Sequence, residues 1–366
     1  MDSAKYAKST LKSEIEQAVR SCDSLRQSKD KPHDISFAAY VKARWNMSME
    51  ALYMDLGINP SMDTVQNLLT LPDFSARWLV PEIIREAIKL GLRKSPIWSD
   101  LIASEQSIKG LTITQPWINM SDAAPYYVGE GENIALGNIS YDQKQVSVRK
   151  LGRGIRITYE VKDYVSLNVV ALYLQDFGVK LGQAMDTLLI ETLINGEQAD
   201  GSESAPVIGV DTPGTLTYAD FLRIWIRMGR LGKTPRAMIG GEQAANDTLN
   251  LPEFKTPVSG SPLLTMNVKT PIPKTSAYYV NGNVPANQQI IIDPSSAIIK
   301  YNAQPLLVES EKIIANQTEE TFATLTTGFG ILFRDSRIVV DETLDIDAAG
   351  FPSYMEVDSL DIVPIS

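Results

Sequence analysis

Cysteine and histidine are almost missing from this sequence: 366 residues hold one of each, Cys22 and His33. A single thiol cannot close an internal disulfide, and one imidazole with one thiol cannot assemble a zinc site of the Cys/His type. Any Ser-His-Asp or Cys-His catalytic group would have to use His33. Cys22 falls on the apolar stripe of a predicted helix and His33 beside Pro32, so they read as a core and a loop residue. Neither is assigned a redox or metal role, and no cofactor is expected. Long apolar runs are missing too. No uncharged apolar stretch approaches the ~18 residues of a membrane helix, and the first 17 residues carry no apolar signal segment. The expectation is a protein made in a reducing cytoplasm, with no membrane partner.

A dense basic face is also lacking. The net charge is −10, and from Asp335 to Ser366 eight carboxylates stand against Arg337 alone. Sequence-independent nucleic-acid binding needs clustered cations that release phosphate counterions, and no such cluster is present. What is present is ordinary for a folded protein, with 44% hydrophobic and 21% charged residues. The length suits two domains or one large one.

Along the chain, Leu11, Ile15, Val19, Cys22 and Leu25 recur at helical spacing. A second helix is predicted from an N-cap at Ser36 through Phe37, Tyr40, Val41, Met49, Leu52 and Leu56 to Asn59-Pro60. Val80-Pro81-Glu82 reads as the opening of another helix that ends near Gly91. A strand follows at Leu111 to Pro116. Residues 117–150 then hold two extended runs, around Pro125 to Val128 and Tyr141 to Lys150, separated by Gly129, Gly131 and Gly137. This pattern predicts a long hairpin with a thin apolar face. Such a ribbon is marginal in water without something to pack on, so its partner must lie elsewhere in this chain or in the next one.

Val170, Leu174, Phe177, Leu181, Ala184, Leu188 and Thr192 step by three and four, which predicts one helix over 167–194 stopped by Asn195-Gly196. Thr217 to Asp220 has the form of a capping box ahead of a helix ending at Gly232. The remainder reads as short strands at Ala237–Gly240, Tyr278–Val280, Gln289–Ile292, Ala297–Ile299, Phe322–Leu325, Gly330–Phe333 and Ile338–Val340. Between Leu249 and Thr275 lies a loop rich in Pro and Thr.

No motif here carries chemistry. Gly229-Arg-Leu-Gly232-Lys233-Thr234 ends like a phosphate-binding loop but lacks its glycine spacing and closes a helix instead of opening one. Gly129-Glu130-Gly131-Glu132 has no third glycine and no helix after it. Asp341, Glu342, Asp345 and Asp347 lack the spacing of a calcium loop and read as a charged strand edge. Trp78, Trp98, Trp117 and Trp225 sit among apolar neighbours, as core or interface anchors do.

The order of elements resembles the major capsid proteins of tailed bacteriophages, the HK-ninety-seven-type fold shared with encapsulin shells. Leu79 to Ile97, LVPEIIREAIKLGLRKSPI, resembles the family's N-terminal arm. Pro125 to Tyr164 resembles its extended loop and returning strand, Leu167 to Ile194 its spine helix, and Gly330 to Leu344 its closing strands. The resemblance implies an α+β fold with a helical segment at 1–72, arm at 73–110, loop hairpin at 111–156, peripheral domain at 157–210, axial domain at 211–310 and closing strands with an acidic C-terminus at 311–366. The segment at 1–72 departs from the family pattern and is either scaffold-like or retained.

The functional expectation is a structural protein, not an enzyme. Copies would assemble through pentamers and hexamers into an icosahedral head around double-stranded DNA that they do not bind specifically. Portal and scaffold or decoration proteins would be partners, the host cytoplasm the place of assembly and the virion the destination. From Tyr141 to Arg156 five cations, Lys144, Arg149, Lys150, Arg153 and Arg156, oppose Asp142 alone. They are expected to meet a neighbour's carboxylates, Asp341, Glu342, Asp345 and Asp347 among them. Tyr126, Tyr127, Glu130 and Glu132 of the hairpin complete the expected interface. An encapsulin-type compartment is the alternative, followed by a β-rich enzyme that uses paired carboxylates.

Overall fold

In a computed structural model, the structure describes residues 14–15, 17–24, 36–56, 58–59, 63, 75–94, 97–114, 117–118, 130–131, 139–140, 145–197, 203–252 and 277–355. Residues 14–24 are helical where described, and Ile15, Val19 and Cys22 are buried on one side. The single helix expected from Ser36 to Leu56 is instead two, α1 (Phe37–Trp45) and α2 (Met49–Leu56). The break is Asn46, whose φ of 52° is left-handed and whose N–H donates to the Lys42 carbonyl. Asparagine enters that conformation at low cost. Ser48 Oγ then accepts the Ala51 N–H at 3.1 Å and restarts the helix.

The next helix, α3 (Ser75–Lys94), begins six residues before the start expected at Pro81 and continues past Gly91. Its last turn holds Arg93 and Lys94, which suit the negative end of a helix dipole. A short turn, α4 (Trp98–Leu101), leads into β1 (Ser104–Ser107) and β2 (Thr112–Thr114). The expected hairpin appears as two nested antiparallel ladders. Trp117–Ile118 (β3) pairs with Ile139–Ser140 (β4), and β2 pairs with Gln145–Ser147 (β5). Of the hairpin residues expected at the interface, Tyr126, Tyr127, Glu132 and Lys144 lie outside the described residues, and Glu130 lies within them.

The chain returns through β6 (Arg149–Thr158) and α5 (Tyr159–Tyr164) into α6 (Leu167–Asn195), 29 residues and about 43 Å long. The predicted stripe is buried at Val170, Leu174, Phe177 and Leu181. Helices α3 and α6 meet backbone to backbone. A Cβ added at Gly178 would lie 2.1 Å from the Ile88 carbonyl oxygen, and one at Gly91 2.0 Å from that of Gln175. Only glycine permits this crossing.

Beyond α6 come β7 (Val207–Val210), α7 (Tyr218–Arg230), β8 (Ala237–Gly240), α8 (Glu242–Asn250), β9 (Ala277–Val280) and β10 (Gln288–Ile292). Most of the expected Pro/Thr loop, residues 253–275, falls outside the described residues. The runs expected as short strands after residue 297 are longer: β11 is Ile298–Ile313 and β12 is Thr318–Ile331, followed by β13 (Arg337–Asp345). Strands β11 and β12 pair antiparallel along nearly their whole length, which carries polar stretches such as Thr318-Glu-Glu-Thr321 into the strand.

Two sheets result. One has the order β1-β11-β12-β6 and packs under α3 and α6, the other the order β7-β13-β10-β8-β9. The second sheet's opposite face packs against α7, where Phe221, Ile224 and Met228 join Ile208, Met238, Ile291 and Val340 in a smaller core. The capping box at Thr217 is present, with Asp220 Oδ2 accepting the Thr217 N–H at 3.0 Å. Gly232 ends α7 with φ of 73°, and Lys233 behind it lies over the Phe333 ring, 4.1 Å from its centre. The phosphate-loop lookalike is thus a helix terminus.

Candidate inter-subunit interface

The basic run expected to face a neighbour is strand β6, an outer strand of the first sheet. Strand β12 is its one neighbour in that sheet, so half of its backbone N–H and C=O groups point away from any ladder. Leu151, Ile155 and Ile157 pack inward on the main core, while the rest of the strand is exposed. The four described cations divide into two pairs. Arg149 meets Glu191 of α6 at 3.2 Å, and Arg156 meets Glu320, directly opposite on β12, at 2.6 Å. Lys150 and Arg153 are exposed and form no ion pair among the described residues. On the outer face, Phe322 of β12 covers Gly154, where any Cβ would strike its ring at 2.6 Å.

A cavity of about 540 Å³ opens at the foot of the hairpin, where Ser147 and Arg149 face Glu191, Asn195 and Gly328. Farther along, Leu172 and Tyr173 project from α6 on the side opposite its buried stripe, 63% and 72% exposed, and Tyr164 of α5 is 85% exposed. Their positions could have been flagged in the sequence, since Leu172 sits two residues from Val170 on the far side of the helix.

The acidic group behaves differently from the expectation. Glu342 is buried at 4% exposure and cannot reach a neighbour. Its Oε1 accepts from Gln289 Nε2 at 3.2 Å, and burial pushes its carboxyl up to about 7, with the carboxylates of Asp247 and Asp341 adding to the shift. Asp341 loses solvation, yet hydrogen bonds from Thr343 and Gln288 outweigh that loss and hold its pKa below the ordinary value. Asp345 accepts the Asp347 N–H at 2.9 Å in a tight turn, leaving Asp347 as the exposed carboxylate. Among the described residues no three Asp, Glu, His or Cys side chains gather as metal ligands, and no helix is long and apolar enough to cross a membrane. Glu130 is exposed at the described part of the hairpin tip.

Arg337, the lone cation of the acidic stretch, is also not a surface group. It is 1% exposed, donates from Nε to the Leu193 carbonyl at 2.8 Å and from Nη2 to the Glu203 carbonyl, and so ties β13 to the end of α6. Sequence reasoning missed this role, because spacing alone does not distinguish a buried arginine from a solvated one.

A model of the family described as phage capsid protein matches residues 141–345. No curated protein matches the chain. Among solved structures, the chain is similar to a virus-like particle from Pyrococcus furiosus at 11% identity, covering 71% of this chain and 98% of that one with a TM-score of 0.46. It is similar to the holo-SrpI encapsulin complex from Synechococcus elongatus at 10% identity, over 69% and 89% of the two chains, TM-score 0.49. For a chain of Mycobacterium phage Che8 the values are 13%, 68%, 92% and 0.47.

Proposed function

The chain belongs to the phage capsid protein family, and on that premise we propose that its copies close into pentamers and hexamers of an icosahedral head that encloses double-stranded DNA. As a capsid protein it is a structural, shell-forming subunit whose place is the virion. The observation that carries the reading is the extent of the family match, residues 141–345, which takes in β6, α6 and strands of both sheets. Division of the chain into arm, hairpin, peripheral and axial parts belongs to this proposal, as do assembly in the host cytoplasm and the portal, scaffold or decoration partners.

Physical chemistry supports a heterologous contact. The nested ladders of the hairpin are two and three residues long, too short to hold a ribbon by themselves. The β2–β5 ladder packs within this chain, where Val146 and Ile113 join Ile299 and Tyr301; lying across an adjacent copy would support the rest of the ribbon, and the same contact repeated around a rotation axis closes a ring. Because Arg149 and Arg156 already have partners, the cations proposed to cross the boundary are Lys150 and Arg153, with Lys144. Asp347, with Asp345, is the carboxylate proposed to receive them in place of Glu342. A chain at −10 gives a wall that on balance repels DNA, so filling the shell falls to an external motor. Electron microscopy of the purified protein tests the reading. Uniform icosahedral shells, DNA-filled when isolated from lysed host cells, are expected. Persistent monomers at high concentration, or shells that enclose a folded enzyme, would overturn it.

A further inference from the structure

The first helices of the chain share one core with the rest of the subunit. Ile15, Val19, Cys22, Phe37, Val41 and Leu52, each at most 3% exposed, belong to the same apolar cluster as Ile84 and Ile88 of α3 and Val170 and Leu174 of α6. Helix α3 also carries a polar stripe, Glu82, Arg85, Glu86 and Lys89, spaced by three and four so that all four lie on one side. On a two-helix unit of α3 and α6 alone that stripe would face water. Glu82, Arg85 and Lys89 are instead buried at 3%, 4% and 5% exposure.

The front helices lie against it. Ser36 Oγ donates to Glu86 Oε1 at 2.6 Å. The Tyr53 hydroxyl of α2 is pushed up to about 12, first by burial and then by the charges of Glu86 and Glu82, which places it beside the same stripe. Trp45 Nε1 donates to Glu14 Oε2 at 3.1 Å and ties α1 to the helical turns before it. Detaching these helices would return buried charges and a row of large apolar side chains to water together.

We propose that the helices described between residues 14 and 56 are a permanent layer of the shell subunit, a strap locked over α3 that stays attached and docked in assembled particles. This rests on the reading of the chain as a shell protein but makes a separate claim. A cleavable or swinging segment is the contrary case.

The one thiol of the chain makes a direct test, since Cys22 is 0% exposed within this layer. Purified particles would be analysed twice: by intact mass of the chain they contain, and by the rate at which a maleimide labels Cys22, compared with the chain in denaturant. The expected result is a chain that begins at or before residue 14, with labelling slowed roughly a hundredfold or more, as for a site that opens only when the structure opens. A chain beginning beyond residue 14, or labelling any faster in intact particles, would overturn the proposal. If the protein forms no particles, the shell reading fails and the strap is still tested, because the same labelling on the soluble subunit reports docking directly.

Discussion

Replacing Glu342 by Gln makes the subunit more stable above neutral pH and leaves it nearly unchanged in acid. Glu342 sits on β13 with its carboxyl against Gln289, whose amide also donates to Thr248 Oγ1 at 2.8 Å. Burial, with Asp247 and Asp341 nearby, moves its pKa from 4.5 to about 7. The folded state therefore holds this proton more tightly than the unfolded chain does. Its contribution is most favourable below about 4.5, weakens as pH rises toward 7, and is fully lost above that. The displacement corresponds to about 3 kcal/mol at most between the two limits. Glu342→Gln removes the titration and keeps an oxygen able to accept from Gln289. Scanning calorimetry of unassembled subunits at about pH 5 and pH 8 is the assay. The variant is expected to melt roughly 5 °C or more above the parent at the higher pH, and within a degree or two of it at the lower. A difference between variant and parent that does not change with pH would refute the reasoning, since it would mean that the carboxyl is not the group whose burial is felt.

Three further outcomes follow from the geometry. Arg337→Met leaves the Leu193 and Glu203 carbonyls without their donor inside the protein; denaturant unfolding is expected to register a loss of about 2–4 kcal/mol, and a loss under about 1 would refute the role. Gly178→Ala drives a methyl into the Ile88 carbonyl and is expected to cost about 2 kcal/mol or more, read in the same assay, with a neutral result contradicting the close crossing. The double variant Lys150→Glu, Arg153→Glu, altered at exposed positions, is expected to keep the parent's melting temperature and lose assembly as followed by light scattering. Unchanged assembly with an unchanged salt dependence would remove these two cations from the contact.

Much of the fold was legible because local rules and tertiary packing agree there. The period of α6 is carried by its own residues, and the Thr217 capping box names its helix start without outside help. Strand β1 is the opposite case: Ser104-Glu-Gln-Ser107 has no alternation to read and is held by parallel pairing with β11, almost two hundred residues away. The turn at Asn46, by contrast, rests on local chemistry that could have been read in the sequence, an asparagine suited to a left-handed φ followed two residues later by the Ser48 cap. At the interface, charge along the chain was readable but its burial was not. Lys150 and Glu342 look equally available in one dimension, and pairing with strands β12 and β10 leaves the first exposed and encloses the second.

The glycine crossing of α3 and α6 has a mechanical consequence. With backbone resting on backbone at Gly91 and Gly178, neither helix has side-chain slack through which to slide or roll on the other. The pair is a girder without a joint. If rings of five and of six are built from the same chain, the difference in tilt between them cannot be taken up at this crossing and must be met by contacts outside it.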